Sequence, residues 1–514
     1  MAATYANAAA EPAPLTGGRL AFAGLLLALS NFMVVLDLTI ANVSVPNIAG
    51  GLAVSPQQGT WVITSYSVAE AIVVPLTGWL AARFGVVRMF VLGLLGFGVC
   101  SALCGIAPSL GFLVLFRVMQ GLCGGPIMPM SQTLLMKIFP PQQRAGAMGL
   151  WSMTTVVAPI AGPILGGTLC DGIGWPWIFY INVPVVAFVA FFGWRMLADQ
   201  ETTTERKRVD LVGLGLLVLF VGSLQIMLDK GKELDWFDSP VIVSLAVMAV
   251  IGFIAFLIWE LTDPNPIVDL RVFRHRGFAS AVITISITFG TFFASVVLIP
   301  LWLQTNMGYT ATWAGYATAF NGVLAVVLSP IVAKLMGRFD ARSLVTFGVL
   351  WMGAIALYRT QLASNANFWY IALPFIAQGV AMPFFFIPTN QLALSSVLPS
   401  ETASAAGLSN FLRTTSAAFG TSIITTLWDN TSNSVHSVLA DRLNPAETLS
   451  TMQAAGMSPE QALTQVDNMT QGQAVMVATD QMFMLTTVAF AIAAAAIWLA
   501  PKPRPMSGPL SGGH

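Results

Sequence analysis

Long apolar segments recur along the whole chain, and they constrain its fold more than any other feature. Only 9% of the 514 residues are charged and 56% are hydrophobic, whereas soluble domains contain about 25% charged residues. The chain therefore cannot cover its surface with charge and must face lipid. A membrane-spanning helix needs about 20 mostly apolar residues. By that measure the sequence predicts fourteen spans: 20–48, 58–82, 87–107, 110–138, 147–170, 175–197, 211–228, 240–262, 278–303, 312–336, 343–362, 367–394, 403–427 and 480–500.

The distribution of the 23 Lys and Arg residues supports an even number of spans. Cytoplasmic segments of membrane proteins carry an excess of Lys and Arg. When the N-terminus is placed in the cytoplasm, most of these residues fall on the cytoplasmic side, and Arg117 and Arg413 fall inside spans. The predicted external segments hold only Lys230, Lys232, Arg359 and Arg442. A missed span would reverse every later loop, so we predict that both termini are cytoplasmic.

An internal repeat predicts how the spans are grouped. The segment 120–150 matches 378–408 at a constant offset of 258, which pairs Gln120 with Gln378 and relates the fourth and fifth spans to the twelfth and thirteenth. Chance similarity between Gly- and Ala-rich helices is the alternative. Parallel six-helix repeats are typical of transporters whose substrate site lies between the two halves. The predicted fold is therefore an all-α integral membrane protein with two six-helix bundles and two extra helices inserted between them.

This plan divides the chain into five regions. A cytoplasmic tail (1–19) precedes the first bundle (20–197), and a linker with two inserted helices (198–277) leads to the second bundle (278–500) and a cytoplasmic tail (501–514). Residues 428–479 are predicted to form an external loop, with a helix starting at Ser458 and Pro459. That loop is either a docking surface or lid, or simply solvated chain.

Several functional classes are disfavoured by what the sequence lacks. It has no nucleotide-binding or hydrolase motif, and its zero net charge argues against nucleic-acid binding. A membrane enzyme or sensor would need clustered acids or histidines, but His275, His436 and His514 all lie in predicted loops or the tail. We therefore expect no cofactor and no metal, and transport must draw on an ion gradient.

Four ionisable residues lie inside predicted spans, where charges are expensive and by default functional. Asp37 and Arg117 are predicted at similar depths, which allows them to pair. Glu70 lies in the middle of the second span, where desolvation favours a neutral carboxyl group. We predict proton coupling by Asp37, Arg117 and Glu70, and we predict that Arg413 favours anionic substrates. Buried helix–helix hydrogen bonds are the alternative for each.

The fifth span contains an unusual run of small and helix-bending residues. Its glycines leave the backbone free for close packing, and its prolines reduce the stiffness of the helix. A plain packing face is the alternative. The run comprises Pro159, Gly162, Pro163, Gly166 and Gly167.

Four motifs in the correct order resemble the major facilitator superfamily, and within it the fourteen-helix drug:proton antiporter branch. "LDLTIANVSVP" (36–46), "FRVMQG" (116–121) and "GPILGG" (162–167) resemble its motifs in helices 1, 4 and 5. "GWLAARFGVVR" (78–88) is similar to its helix 2–3 loop motif, through Gly78, Arg83, Gly85 and Arg88. The usual acid of that motif is replaced by Ala82, which argues against the usual salt bridge of the inner gate.

The resemblance implies proton-coupled export of hydrophobic drugs across the bacterial inner membrane. It also implies two partners, an EmrA-like periplasmic membrane-fusion adaptor and a TolC-like outer-membrane channel. We predict that the substrate cavity or its gate is lined by Gln120, Gln378, Asn390 and Arg413. Export of one specific metabolite or siderophore is an alternative. Uptake by proton symport is a weaker one, because the 162–167 motif is typical of antiporters.

Overall fold

A computed structural model describes residues 15–205, 208–309, 311–362, 366–442, 450, 452–454 and 457–501. All regular elements in these ranges are helices. Of the predicted tails, residues 1–14 and 502–514 lie outside them, and the first helix begins at Gly17, within the predicted N-terminal tail.

The first six predicted spans each coincide with a helix. Pro141 occupies the first position of the fifth helix. A backbone N–H group at this position would have no partner within the helix, so the N–H that proline lacks is not needed. A short 3₁₀ turn at Val74–Leu76 interrupts the second helix, because Pro75 cannot donate an α-helical hydrogen bond. The helices are α1 Gly17–Gly51, α2 Trp61–Phe84, α3 Val86–Gly105, α4 Leu110–Ile138, α5 Pro141–Gly172 and α6 Trp177–Gln200.

Two inserted helices follow, α7 (Leu211–Lys230) and α8 (Pro240–Thr262). Asp210 caps α7 by accepting a hydrogen bond from the Gly213 N–H group. Helix α7 packs against α8, α2 and the thirteenth helix, whereas α8 is the least buried of the candidate spans. The inserted pair therefore lies beside the bundles, with α8 towards lipid.

Within the described residues, the second bundle contains six further helices, one of them in two pieces. They are α9 Arg276–Asn306, α10 in two pieces (Ala311–Ala319 and Asn321–Leu335), α11 Ala341–Arg359, α12 Phe368–Ser395, α13 Thr402–Arg442 and α14 Pro459–Ala496.

Eleven of the described helices are long and apolar enough to cross a membrane, or twelve if the two parts of α5 form one span. The other two predicted spans are α10, which is broken near Phe320, and α13, which is rich in Ser, Thr and Gly. Helix α13 packs against α9, α14 and α4, and α10 packs against α12 and α5. A helix that contacts other helices rather than lipid tolerates such polar and small residues.

The prediction that residues 428–479 form a loop is wrong. Helix α13 continues to Arg442 and α14 already begins at Pro459, so most of the described part of this segment is helical. The Ser458 hydroxyl accepts a hydrogen bond from the Gln461 N–H group, which confirms the predicted helix start. At about 1.5 Å per residue, both helices are much longer than a hydrocarbon core of about 30 Å. Their ends therefore form a projecting helical hairpin (residues 428–442 and 459–479).

The two sides of the bundle are packed differently. We call the side where α1 begins and α14 ends the terminal side. There, one apolar core joins the halves and includes Leu20, Leu134 and Leu408. Towards the opposite side the halves have separate cores, around Leu36 and Ile178 in the first and around Trp302 and Trp428 in the second. The halves are therefore closed against each other at the terminal side.

Candidate functional site

Asp37 and Arg117 form a buried ion pair, which confirms the pairing predicted from their depths. The Arg117 Nη1 atom lies 2.6 Å from Oδ2 of Asp37, and both side chains are at most 1% exposed. Removal of one partner of a buried ion pair leaves an uncompensated charge and lowers the stability of a protein by about 3–5 kcal/mol. Neither residue can be replaced without affecting the other.

Two amides complete the hydrogen bonding of the Asp37 carboxylate. Its Oδ1 atom accepts hydrogen bonds from Asn182 Nδ2 at 2.7 Å and from Gln120 Nε2 at 3.2 Å. Asn182 also donates to the Ser101 hydroxyl at 3.2 Å. The carboxylate therefore joins α1 to α4 and α6 directly, and to α3 through Asn182 and Ser101.

Asn182 was missed by the sequence analysis. Its only signal is a polar amide within the predicted sixth span, in "INVPVV", and that signal does not identify a partner. Gln120 contacts the ion pair: besides donating to Asp37, it accepts a hydrogen bond from Arg117 Nη1 at 2.9 Å. Its predicted place at the substrate cavity stays a prediction.

The Arg117 guanidinium is positioned by helix α2. Its Nε atom donates to the Val62 carbonyl at 3.1 Å, and its Cζ atom lies 4.2 Å from the centroid of the Tyr66 ring. A cation over an aromatic face gains about 2 kcal/mol or more when desolvated. The Nη2 atom has no hydrogen-bond partner within the described ranges. Movement of α2 against α4 would therefore alter the environment of the ion pair.

Glu70 lies one turn beyond Tyr66 on α2 and is buried. It forms no hydrogen bond or ion pair with any residue that the structure describes, but it interacts electrostatically with Arg117 and Arg413. Glu70 is therefore a second buried carboxyl group, within electrostatic range of the ion pair and of a cation of the other half. Its predicted titration stays a prediction.

Arg413 of α13 is buried at the interface between the halves. Its Cζ atom lies 5.7 Å from the ring centroid of Trp151, in the first half, and 5.2 Å from that of Phe289, in the second. The Nε atom has no hydrogen-bond partner, and the guanidinium forms no ion pair, within the described ranges. Trp151 is held in place by its Nε1 hydrogen bond to Ser131, 2.8 Å long. Arg413 is thus a cation enclosed by aromatic rings.

A small cavity of about 10 Å³ lies between the halves. It is lined by Ser152 and Met153 of α5 and by residues of α10 and α12, including Met382 and Phe386. Phe386 packs edge-on against Phe289. The cavity holds at most about one water molecule, so the structure is occluded here and the halves must separate to admit a larger molecule.

Gln378 and Asn390 of α12 are both buried but have different contacts. Asn390 donates to the Phe386 carbonyl of its own helix at 2.9 Å. Gln378 accepts a hydrogen bond of 2.6 Å from Arg359, whose guanidinium lies 4.3 Å from the Phe375 ring centroid. Arg359 is therefore buried within the second bundle, and its assignment to an external loop was wrong. Substrate contact by Gln378 and Asn390 stays a prediction.

The glycines of α5 bring this helix against α1. A Cβ atom at Gly162 would collide with Thr39, and Gly166 contacts the backbone of Ile40. The backbone of α5 bends by 46° between its parts 141–159 and 164–170. Proline within a helix and glycine pairs are common causes of such bends, and Pro159, Pro163 and Gly167 lie at or beside this one. The motif thus packs on the stretch of α1 immediately after Asp37.

The terminal side is closed by small residues and one hydrogen bond between the halves. A Cβ atom at Gly78 would collide with Ser404, and one at Gly407 would lie 2.9 Å from the Val74 carbonyl oxygen. Deeper in the interface, Asn410 Nδ2 donates to Gln132 Oε1 at 2.6 Å. We call the contact between Gly78 and Ser404 the terminal gate.

The other residues of the loop motif lie beside this gate. The Arg83 guanidinium lies within 6 Å of the Trp79 and Phe84 ring centroids, and Gly85 has a positive φ of 90°. Arg88 lies 3.9 Å from the Glu201 carboxylate, an exposed and weak ion pair.

Two bundles with a buried, titratable ion pair in one and an enclosed cation between them define a multi-pass membrane transporter. The chain belongs to the Major Facilitator Superfamily, whose model matches residues 27–421. It is 43% identical to the multidrug export protein EmrB of Escherichia coli K12, covering 98% of this chain and 99% of that protein. It is 42% identical to the fatty acid resistance protein FarB of Neisseria gonorrhoeae, with the same coverage. The crystal structure of the human organic anion transporter MFSD10 has the same fold, with a TM-score of 0.56 at 14% identity over 92% of this chain and 100% of that one.

Proposed function

We propose that this chain is a proton-coupled antiporter that exports hydrophobic and amphiphilic toxic compounds. The observation that carries the proposal is the Asp37 carboxylate, a titratable group buried in a membrane bundle and hydrogen-bonded to Arg117, Gln120 and Asn182. Its near relatives EmrB and FarB, named for multidrug export and fatty acid resistance, support export rather than uptake.

The ion pair provides a way to couple protons to movement. Arg117 favours the charged form of Asp37, whereas burial favours the neutral form. These opposing effects are set by the positions of α1, α4 and α6 around the carboxylate. A small rearrangement of these helices therefore changes the proton affinity of Asp37. The proton and the drug favour different conformations of the transporter, and this difference couples their transport. No cofactor is needed, because the proton gradient supplies the energy.

Amphiphilic weak acids are the substrate class that the interface favours. The Arg413 guanidinium forms no direct ion pair within the described ranges, although Glu70 interacts with it electrostatically, and aromatic rings of both halves lie against it. An anionic head group would provide a direct counter-charge, and Trp151, Phe289 and Met153 would contact the apolar body. The occluded cavity must widen first, which the separate cores on the opposite side permit.

The proposed location is the bacterial inner membrane, with both termini in the cytoplasm. This orientation rests on the excess of Lys and Arg on the cytoplasmic side. The excess remains when Arg359 is counted as buried and residues 428–479 as mostly helical. The terminal side is then cytoplasmic and the helical hairpin is periplasmic.

A periplasmic adaptor of the EmrA kind and an outer-membrane channel of the TolC kind are the proposed partners. The helical hairpin is the surface that extends furthest towards them. The His436 imidazole lies 3.1 Å from the Asp467 carboxylate and so links its two helices. This ordered projection favours a docking surface over a freely solvated loop.

Transport by purified protein tests the proposal. In proteoliposomes with an acidic lumen, inside-out molecules should accumulate a fluorescent weak-acid amphiphile against its gradient, and nigericin should abolish this. Because a weak acid enters an alkaline lumen passively, only accumulation above that of protein-free liposomes when the outside is acidic would indicate symport instead. In an efflux-deficient strain, the chain expressed with an adaptor should raise the inhibitory drug concentration more than the chain alone, and equal protection would contradict the tripartite assembly.

A further inference from the structure

The segment that follows α6 is bound to the loop between α2 and α3. Glu201 accepts two backbone hydrogen bonds at the start of α3, with its Oε1 atom 3.0 Å from the Val87 nitrogen and its Oε2 atom 2.9 Å from the Arg88 nitrogen. A helix N-terminus carries unpaired N–H groups and a partial positive charge, so a carboxylate is stabilised there. Glu201 is therefore the N-terminal cap of α3, supplied from more than 100 residues away in sequence.

The neighbours of Glu201 strengthen this attachment. The Thr202 hydroxyl accepts a hydrogen bond from the Val86 N–H group at 3.1 Å, and the Glu205 N–H group donates to the Ala82 carbonyl at 2.7 Å. Three of the four unpaired N–H groups at the start of α3 are thus satisfied by one foreign segment. This is more than a chance contact between two loops.

Gly85 is required by the same arrangement. Its φ of 90° is unfavourable for any residue with a side chain. A Cβ atom at this position would also lie 2.5 Å from the Glu201 carboxylate. From the other side, the Lys137 ammonium group donates to the backbone carbonyls of Gln200 and Glu201. The segment is therefore fixed both to the α2–α3 turn and to the end of α4.

The end of α2, which leads into this capped turn, also forms the terminal gate. Gly78 lies in the last two turns of α2 and packs directly on Ser404 of the second bundle. The same end of α2 lacks an acid at Ala82, where the motif that it resembles has one. We propose that Glu201 replaces this acid and acts as a positioning residue, holding the loop so that the terminal gate closes against Ser404. The segment leads on to α7, which contacts both α2 and α13, so it links the gate to the inserted helices.

Labelling of a cysteine at the gate tests this proposal independently of transport and of the proposed function. The four native cysteines are replaced, Ser404→Cys is added, and the purified protein is labelled in detergent with a bulky maleimide. Four forms are compared: the parent, Glu201→Ala, Glu201→Gln and Asp199→Ala. Asp199 is the matched control, because it is an exposed acid two residues away with no hydrogen bond to a described residue. Elution as a single folded species and thermal melting exclude misfolding.

We expect the gate cysteine of Glu201→Ala to react with the maleimide about fivefold faster than that of the parent, an effect of the size typical of a lost helix cap. The gate cysteine of Asp199→Ala should react at the rate of the parent. Glu201→Gln should lie between them, since it keeps one acceptor and is the variant of choice if Glu201→Ala does not fold. Adding Ala82→Asp to Glu201→Ala should restore slow labelling. Equal labelling of the Glu201 variants and Asp199→Ala would overturn the proposal. If Ala82→Asp does not restore slow labelling, the claim that Glu201 replaces the missing acid is contradicted.

Discussion

Asn182 donates a 2.7 Å hydrogen bond to the Asp37 carboxylate, which ties the last helix of the first bundle to the first. Residues of α4 and α6 both donate hydrogen bonds to this carboxylate, so its surroundings depend on the relative position of the two helices. This arrangement explains how a charged side chain is retained deep in an apolar bundle.

Asp37→Asn should abolish uphill export while preserving folding and drug binding. The amide is similar in size but cannot titrate, and Arg117 keeps a hydrogen-bonding partner. Transport against a gradient in proteoliposomes measures the loss, with drug binding by fluorescence as the control. We expect Asp37→Glu to keep partial activity. Full uphill export by Asp37→Asn would show that Asp37 is not the coupling residue.

Asn182→Ala should change the pH dependence of export without abolishing it. The variant removes one of three donors to Asp37, and a hydrogen bond to a charged group contributes about 1.5–3 kcal/mol. The charged and neutral forms of the carboxyl group bind this donor differently, so the pH profile of export should move. Ser101→Ala is a suitable control, since it touches Asn182 but not Asp37. An unchanged pH profile would mean that Asn182 serves packing alone.

Glu70→Gln should alter either the pH dependence of export or the preference for cationic drugs. The reason is that Glu70 is buried without a direct partner in the described ranges and lies within electrostatic reach of Arg117 and Arg413. Initial rates for one cationic and one neutral substrate across a pH series measure both effects. If neither changes, Glu70 has only a structural role.

Arg413→Ala should reduce export of weak acids more than export of neutral compounds, by roughly tenfold or more. A buried interaction between opposite charges loses several kcal/mol when one partner is removed, whereas neutral compounds lose mainly packing. Arg413→Lys is the matched variant, because it keeps the charge but not the planar group that lies over Trp151. An unchanged ratio between anionic and neutral substrates would contradict the anion site.

Ser434→Cys, on the helical hairpin, should react with a membrane-impermeant maleimide in intact cells whose outer membrane is permeabilised. Ser434 is exposed on α13 well beyond the length needed to cross the membrane. Gln142→Cys, at the start of α5 on the terminal side, should react only after lysis. Labelling of Gln142→Cys alone in intact cells would reverse the proposed orientation.

Much of the fold was determined by the sequence, because the cost of exposing polar backbone or charge to lipid leaves few arrangements. Fourteen apolar stretches, a constant repeat offset and the asymmetry of Lys and Arg predicted the spans and their grouping. The pairing of Asp37 with Arg117 followed from their depths, since a buried charge needs a partner. The helix start at Ser458 and Pro459 was also readable, because it is a local pattern of neighbouring residues.

Tertiary structure alone decided the features that depend on contacts between distant segments. Residues 428–479 are polar, and composition does not distinguish a solvated loop from two helices that support each other through contacts such as His436 with Asp467. Arg359 lies at the end of its helix, and only packing shows that its side chain turns inward to Gln378. Asn182 and Glu201 are unremarkable in sequence. They acquire roles because folding brings them to a carboxylate and to a helix end, and nothing in their local sequence specifies those partners.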